Sequence, residues 1–91
     1  MFFVYVLQSL KDYNLYTGFT SDLKKRFEKH KLGNVFSTKN RRPLKLIYYE
    51  SCLNKTDALH RELYLKTSWG KKFLKSRLNK YFNVNINESH S

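Results

Sequence analysis

Residues 2–8 alternate Phe3, Tyr5 and Leu7 with Phe2, Val4 and Val6, so a strand built from them is apolar on both faces. Such a strand is stable only where protein covers both sides, which predicts a central position in a sheet. The polar stretch Lys11, Asp12, Tyr13, Asn14 then turns the chain, and Leu15 to Phe19 reads as the second strand of a hairpin. Gly18 lies near the end of that strand, where the missing side chain would let another group approach closely. A chain of 91 residues with 41% hydrophobic content has material for one modest core. Seven Phe and seven Tyr supply large apolar area to it.

Helical spacing follows. Thr20 or Ser21 is expected to cap a first helix with Asp22 in its first turn, running to about Leu32 and stopped by Gly33-Asn34. Leu23 and Phe27 mark its buried stripe, and Arg26 and His30, four apart, share a face bordering that stripe. Asn34 to Pro43 has no period and reads as a loop. Leu44 to Ser51 is a third strand, rich in β-formers at Ile47, Tyr48 and Tyr49. A second helix is expected from about Lys55 to Ser68, with Gly70 separating it from a shorter one over about Lys71 to Tyr81. The result is an α+β fold, a three-stranded, mainly antiparallel sheet flanked by helices, with one domain over residues 1–82 and a polar, disordered tail over 83–91.

The charge balance points to a partner. Eighteen Lys and Arg against seven Asp and Glu leave a formal +11. That density attracts phosphate backbones through counterion release, without sequence information. Lys39, Arg41 and Arg42 in the loop, and Lys71 and Lys72 after Gly70, are candidate phosphate contacts. Cys52 is the only cysteine, so no intrachain disulfide can form, and no Cys/His cluster has structural-zinc spacing. Met1 to Leu7 lacks a basic leader and no run reaches transmembrane length, so a cytoplasmic protein without a membrane partner or obligate protein partner is expected.

Several of these residues stand in a recurrent order: Phe3-Val4-Tyr5 on the first strand, Tyr16-Thr17-Gly18 on the second and Arg26 and His30 on the first helix. Ser37-Thr38-Lys39 and Arg42-Pro43 follow in the loop, then Ala58-Leu59-His60-Arg61-Glu62 on the second helix. The set resembles the GIY-YIG endonuclease superfamily from Phe3 to about Tyr81, as in its small stand-alone bacterial members. Phe3 and Val4 depart from the first name-giving triplet, whereas Tyr5 keeps its tyrosine, and Asn79 is the candidate for a late asparagine carried by many members. The resemblance implies hydrolysis of phosphodiester bonds with one divalent ion, Mg2+ or Mn2+. By the same resemblance Tyr5 is the base, Tyr16 positions water or phosphate, Arg26 holds the phosphate, His30 assists proton transfer or orientation, and Glu62 holds the metal. DNA is expected over RNA, cut without an added sequence-recognition domain.

Physical chemistry is compatible with those roles. A free phenol has a pKa near 10, so only about one in a thousand is ionised at neutral pH, and a basic tyrosine needs cations nearby. Arg26 brings a permanent charge and forked donors. Glu62 sits beside an apolar stripe, where an unpaired carboxylate is costly and a divalent ion compensates. Taken singly, the residues have plainer uses. Tyr5 and Tyr16 would serve as core aromatics, Glu62 would pair with Arg61, His60 or Lys66, Arg26 would be solvated, and His30 would favour the helix's negative end. His60, His90, Glu50 and Asp57 receive the plain reading, and Trp69 is expected to pack. A basic DNA- or RNA-binding module without useful catalysis is the competing function, and a structural ribonucleoprotein component a third.

Overall fold

A computed structural model describes residues 1–83. Three strands, β1 (Phe2–Ser9), β2 (Leu15–Thr20) and β3 (Leu44–Cys52), form one sheet in the order β2-β1-β3. Both pairings are antiparallel. The two-sided apolar strand is therefore central, and Val4 to Ser9 are all buried.

The faces of β1 have different covers. Val4 and Val6 form the core cluster with Ala58 and Leu65 of helix α2 (Lys55–Leu65) and Leu74 of helix α3 (Ser68–Arg77). Tyr5 faces the other way, towards helix α1 (Leu23–Lys31) and the segment after it, where Val35 and Thr38 are buried. On β3 the register slips by one residue between Val6, opposite Tyr48, and Leu7, opposite Leu46. Ile47 is the extra residue, and this bulge lets both Ile47 and Tyr48 pack on the core side. Leu46 and Tyr49 turn instead towards Leu23 and Phe27 of α1.

Each helix starts on a side-chain cap, which supplies an acceptor to an otherwise orphaned N–H. The first is Asp22, whose carboxylate accepts from Lys25 N, so the cap lies beyond the expected Thr20 or Ser21, by two residues or one, and Asp22 is outside the first turn. Thr20 bonds to the backbone of Asp22 instead. Asn54 caps α2 and Thr67 caps α3.

Two expectations about the last helices fail for one reason. The second helix ends at Leu65, short of Ser68, and Gly70 lies in the first turn of α3 rather than between helices. A Cβ on Gly70 would collide with the Tyr64 carbonyl oxygen and Leu65 Cα. The glycine is needed for close approach of α3 to the end of α2, not for a break. Starting α3 three residues early also turns Trp69 outwards, so it is 70% exposed and not the packing residue expected. The Asn34–Pro43 segment is irregular as expected, apart from one 3-10 turn at Lys39–Arg41. Residues 79–83 are helical. The tail expectation, including His90, falls largely on residues 84–91, outside the described residues. Among the described residues no helix is long and apolar enough to cross a membrane.

Candidate active site at the edge of the sheet

Tyr5 stands directly opposite Gly18 in the β1–β2 register. A Cβ on Gly18 would run into the Tyr5 hydroxyl and Cζ, so the ring lies over a backbone that carries no side chain. That crossing brings the phenol to α1. Its oxygen is 2.9 Å from His30 Nε2 and accepts a hydrogen bond from Arg26 Nε at 3.3 Å. The other imidazole nitrogen, His30 Nδ1, is 2.7 Å from Thr38 Oγ1. Arg26 and His30 share a helix face, as their spacing predicts. Tyr16, two residues before Gly18 and on the same side of β2, meets the His30 ring edge-on with centroids 5.4 Å apart.

The centre of this cluster is dry. Tyr5 is 1% exposed, and His30 and Thr38 are fully buried. A hydroxyl in such a place costs about 1–3 kcal/mol if left unpaired, which accounts for its two partners. Burial raises the Tyr5 pKa above its ordinary value, with the Arg26 bond and charge opposing. Arg26 is held more firmly protonated, first by its bond to Tyr5. Burial, and secondarily the Arg26 charge, push His30 down to about 4. His30 is thus a neutral ring in which one nitrogen donates and the other accepts, not the dipole-stabilising cation of the plain reading.

This depression has a thermodynamic sign. The unfolded chain protonates His30 as pH falls through 6.5, whereas the folded chain resists until about 4. The neutral ring's contribution is fully present above the unfolded pKa and is lost progressively down to the folded one. At about 1.4 kcal/mol per pKa unit the loss reaches about 3 kcal/mol. Melting temperatures followed from about pH 7.5 to 4 should therefore fall more steeply in the wild type than in His30→Gln. Parallel curves for the two proteins would contradict this account.

Glu62 comes from α2, on the opposite side of the sheet, and is partly buried. Its negative charge is the smallest of the influences that raise the Tyr5 pKa. Glu62 Oε2 pairs with Lys66 Nζ at 3.3 Å, the partner foreseen in the plain reading, while Oε1 has no protein partner among the described residues. Arg61 turns away to Glu50 at 2.7 Å, and Glu50 also accepts from the Tyr48 hydroxyl. No group of three or more His, Cys, Asp or Glu side chains gathers for a metal among the described residues. A lone carboxylate with one free oxygen is nevertheless a donor set that suits Mg2+, which keeps most of its waters.

The expected phosphate contacts divide. Lys71 lines a cavity with Tyr16 and Thr17, beside the cluster. Arg41 lines a second cavity further along β2 with Tyr13. Arg42 is exposed but engaged on the surface: its guanidinium lies against Gly33, whose φ is +80°, and Nε donates to Lys39 O at 3.0 Å. Lys39 sits over the exposed Phe36 ring and Lys72 over Trp69, 5.2 and 5.0 Å from the centroids. Asn79 is exposed on the 79–83 turn. Thr38, buried and bonded to His30, is the member of the cluster that residue-by-residue reasoning missed. Its only signal is its place in the Ser37-Thr38-Lys39 motif, because a loop threonine carries no period that marks it as buried.

Compared with known proteins, residues 1–81 match the GIY-YIG catalytic domain family. A UPF0213 protein of Clostridium perfringens is 45% identical over 67 residues, covering 72% of this chain and 71% of that protein. One from Staphylococcus saprophyticus is 42% identical over 74 residues, covering 80% and 89% respectively. A third, from Staphylococcus aureus, is 44% identical over 66 residues, covering 71% and 79%. No solved structure matches.

Proposed function

Because this chain belongs to the GIY-YIG family, whose catalytic domain matches residues 1–81, we propose that it is a metal-dependent endonuclease hydrolysing phosphodiester bonds in DNA in the cytoplasm. The observation that carries this is the Tyr5–His30–Arg26 network, its phenol and imidazole buried, with partly buried Tyr16 against the His30 ring. The formal +11 charge supports a nucleic-acid substrate independently.

Arg26 donates Nε to Tyr5, which leaves its terminal nitrogens for the non-bridging oxygens of the scissile phosphate. Tyr5 and His30, with Thr38 behind them, fix the height and angle of that guanidinium. In this arrangement the roles of the two tyrosines exchange relative to the expectation from sequence. Tyr5 is enclosed and its burial disfavours the phenolate, whereas Tyr16 borders a cavity and can reach water. Tyr16 is therefore the base, accepting the proton of the attacking water, and Tyr5 positions Arg26. Glu62 would hold a divalent ion, which supplies positive charge to the phosphate oxygens as bond order shifts.

The roles are separable. Tyr16→Phe should lower the cleavage rate by about 10²–10⁴, the usual weight of a positioned base, without moving the melting temperature. Tyr5→Phe should lower both, because it strips Arg26 and His30 of a shared partner. Equal cleavage by Tyr16→Phe and wild type would return the base to another residue. For the function itself, labelled single-stranded, duplex and branched DNA, and RNA, are incubated with the protein at fixed salt with Mg2+, Mn2+ or EDTA. Metal-dependent cleavage of DNA is the expected result. Binding with no cleavage of any substrate would favour the competing module without catalysis.

A further inference from the structure

The exposed side of β2 carries a feature that hydrolysis does not explain. Beside the catalytic cluster lies a cavity of about 230 Å³, bordered by Tyr16, Lys66 and Lys71. It adjoins a second, of about 510 Å³, bordered by Tyr13, Arg41, Lys71 and Lys75. Leu15 and Lys71 line both, so the two form one groove along the edge strand, leading from Tyr16 to the hairpin turn. Four cations flank it. Asp12, the carboxylate at the turn, accepts from Asn14 N at 2.9 Å and is thus engaged within the turn itself.

Tyr13 closes the groove, and its conformation is unusual. It is the one non-glycine residue with positive φ among the described residues, at +62°. L-residues with a bulky side chain rarely adopt this region, and asparagine or glycine does so more readily. The residue is 65% exposed, standing between this groove and a further cavity bordered by Tyr81 and Phe82. Its backbone is nonetheless held at both ends: Tyr13 N donates to Ser9 O at 2.8 Å, and Gln8 Nε2 donates to Tyr13 O at 3.2 Å. Buried Ser9 also donates its hydroxyl to Arg41 O at 2.7 Å, which ties the turn to the segment carrying the arginine. An exposed ring and a cation are thus set on one frame at the end of a basic groove.

Strained backbone persists where surrounding structure enforces it, characteristically at functional sites. A line of cations ending on an open aromatic face is what an unpaired polynucleotide requires, with phosphates on the charges and a base on the ring. A duplex stacks its bases internally and has no use for the ring. We propose that this groove binds the unpaired strand of the substrate, with Tyr13 stacking on a base and Lys71, Lys75 and Arg41 following the phosphates. The inference rests on the nuclease reading for its relation to the cut site, and its binding test does not depend on cleavage.

The test is fluorescence anisotropy with a labelled oligothymidylate and a blunt hairpin duplex, at fixed salt in EDTA, together with melting temperatures. Tyr13→Asn should weaken oligothymidylate binding roughly 5- to 150-fold, the range for one base on one ring. Duplex binding should stay unchanged, and the melting temperature should hold or rise because asparagine accepts the backbone conformation. Lys71→Ala and Lys75→Ala should each reduce the salt slope for the single strand by about 0.7. Unaltered oligothymidylate affinity in Tyr13→Asn would overturn the proposal, as would an equal loss for the duplex. A lowered melting temperature would assign the ring to packing and overturn it too. A protein that binds through Tyr13 yet cuts nothing refutes the nuclease reading alone, whereas a nuclease indifferent to Tyr13→Asn refutes only the groove.

Discussion

Replacing Glu62 by Gln is expected to abolish cleavage while leaving DNA binding in EDTA intact or slightly tighter. The change keeps the side chain's shape and removes the carboxylate that would hold the ion. If ion-derived charge stabilisation is worth about 4 kcal/mol, the rate falls about 10³-fold, since each 1.4 kcal/mol is a factor of ten. Folding should hardly respond. The Glu62–Lys66 pair spans one helical turn and its lysine side chain is 50% exposed, so its loss costs only about 0.3–0.5 kcal/mol. Removal of one negative charge near a phosphate track favours the polyanion. Rates on labelled DNA, anisotropy and a melting curve check the three parts together. Cleavage by purified Glu62→Gln at the wild-type rate would remove Glu62 from the mechanism, and a collapse in melting temperature would make it a structural residue.

Gly18→Ala should damage both the site and the fold. The added Cβ would occupy the place of the Tyr5 hydroxyl and Cζ, and the ring has nowhere to retreat, being enclosed with His30 beyond it. Overpacking of this kind costs about 1–3 kcal/mol. For a domain of this size that lowers the melting temperature by about 4–8 °C per kcal/mol. Because Tyr5 carries Arg26, an ångström of displacement passes to the guanidinium and slows cleavage by about 10²-fold. Wild-type rate and stability in Gly18→Ala would mean that the ring and strand accommodate a methyl group without loss.

Much of this architecture could be read from residue order, because burial imposes periods. The two-sided pattern of Phe2 to Leu7 placed β1 centrally, and the four-residue spacing of Arg26 and His30 put them on one face. Reach was not legible. Alternation says that Tyr5 and Gly18 can share a face, and it does not say that the ring crosses the neighbouring strand to end as a buried phenol between an imidazole and a guanidinium. Glycine was ambiguous for a related reason: Gly70 looks like a stop between helices, yet it is where two backbones touch. Thr38 was invisible because irregular segments bury residues singly. The cavities along β2 depend on how α3 lies against the sheet, which no local pattern encodes.

The basic groove also bears on how the open edge of the sheet is protected. β2 lies at the end of the β2-β1-β3 order, so among the described residues its outer backbone groups have no strand partner and offer a template for another chain. Lys66, Lys71, Lys75 and Arg41 stand beside that edge and would face their own counterparts if two copies paired there. Like-charge repulsion thus guards against edge-to-edge aggregation with the same side chains that attract a polyanion. The two effects are linked: a bound strand neutralises the guard while physically covering the edge, so the sheet passes from electrostatic to steric protection without being left bare.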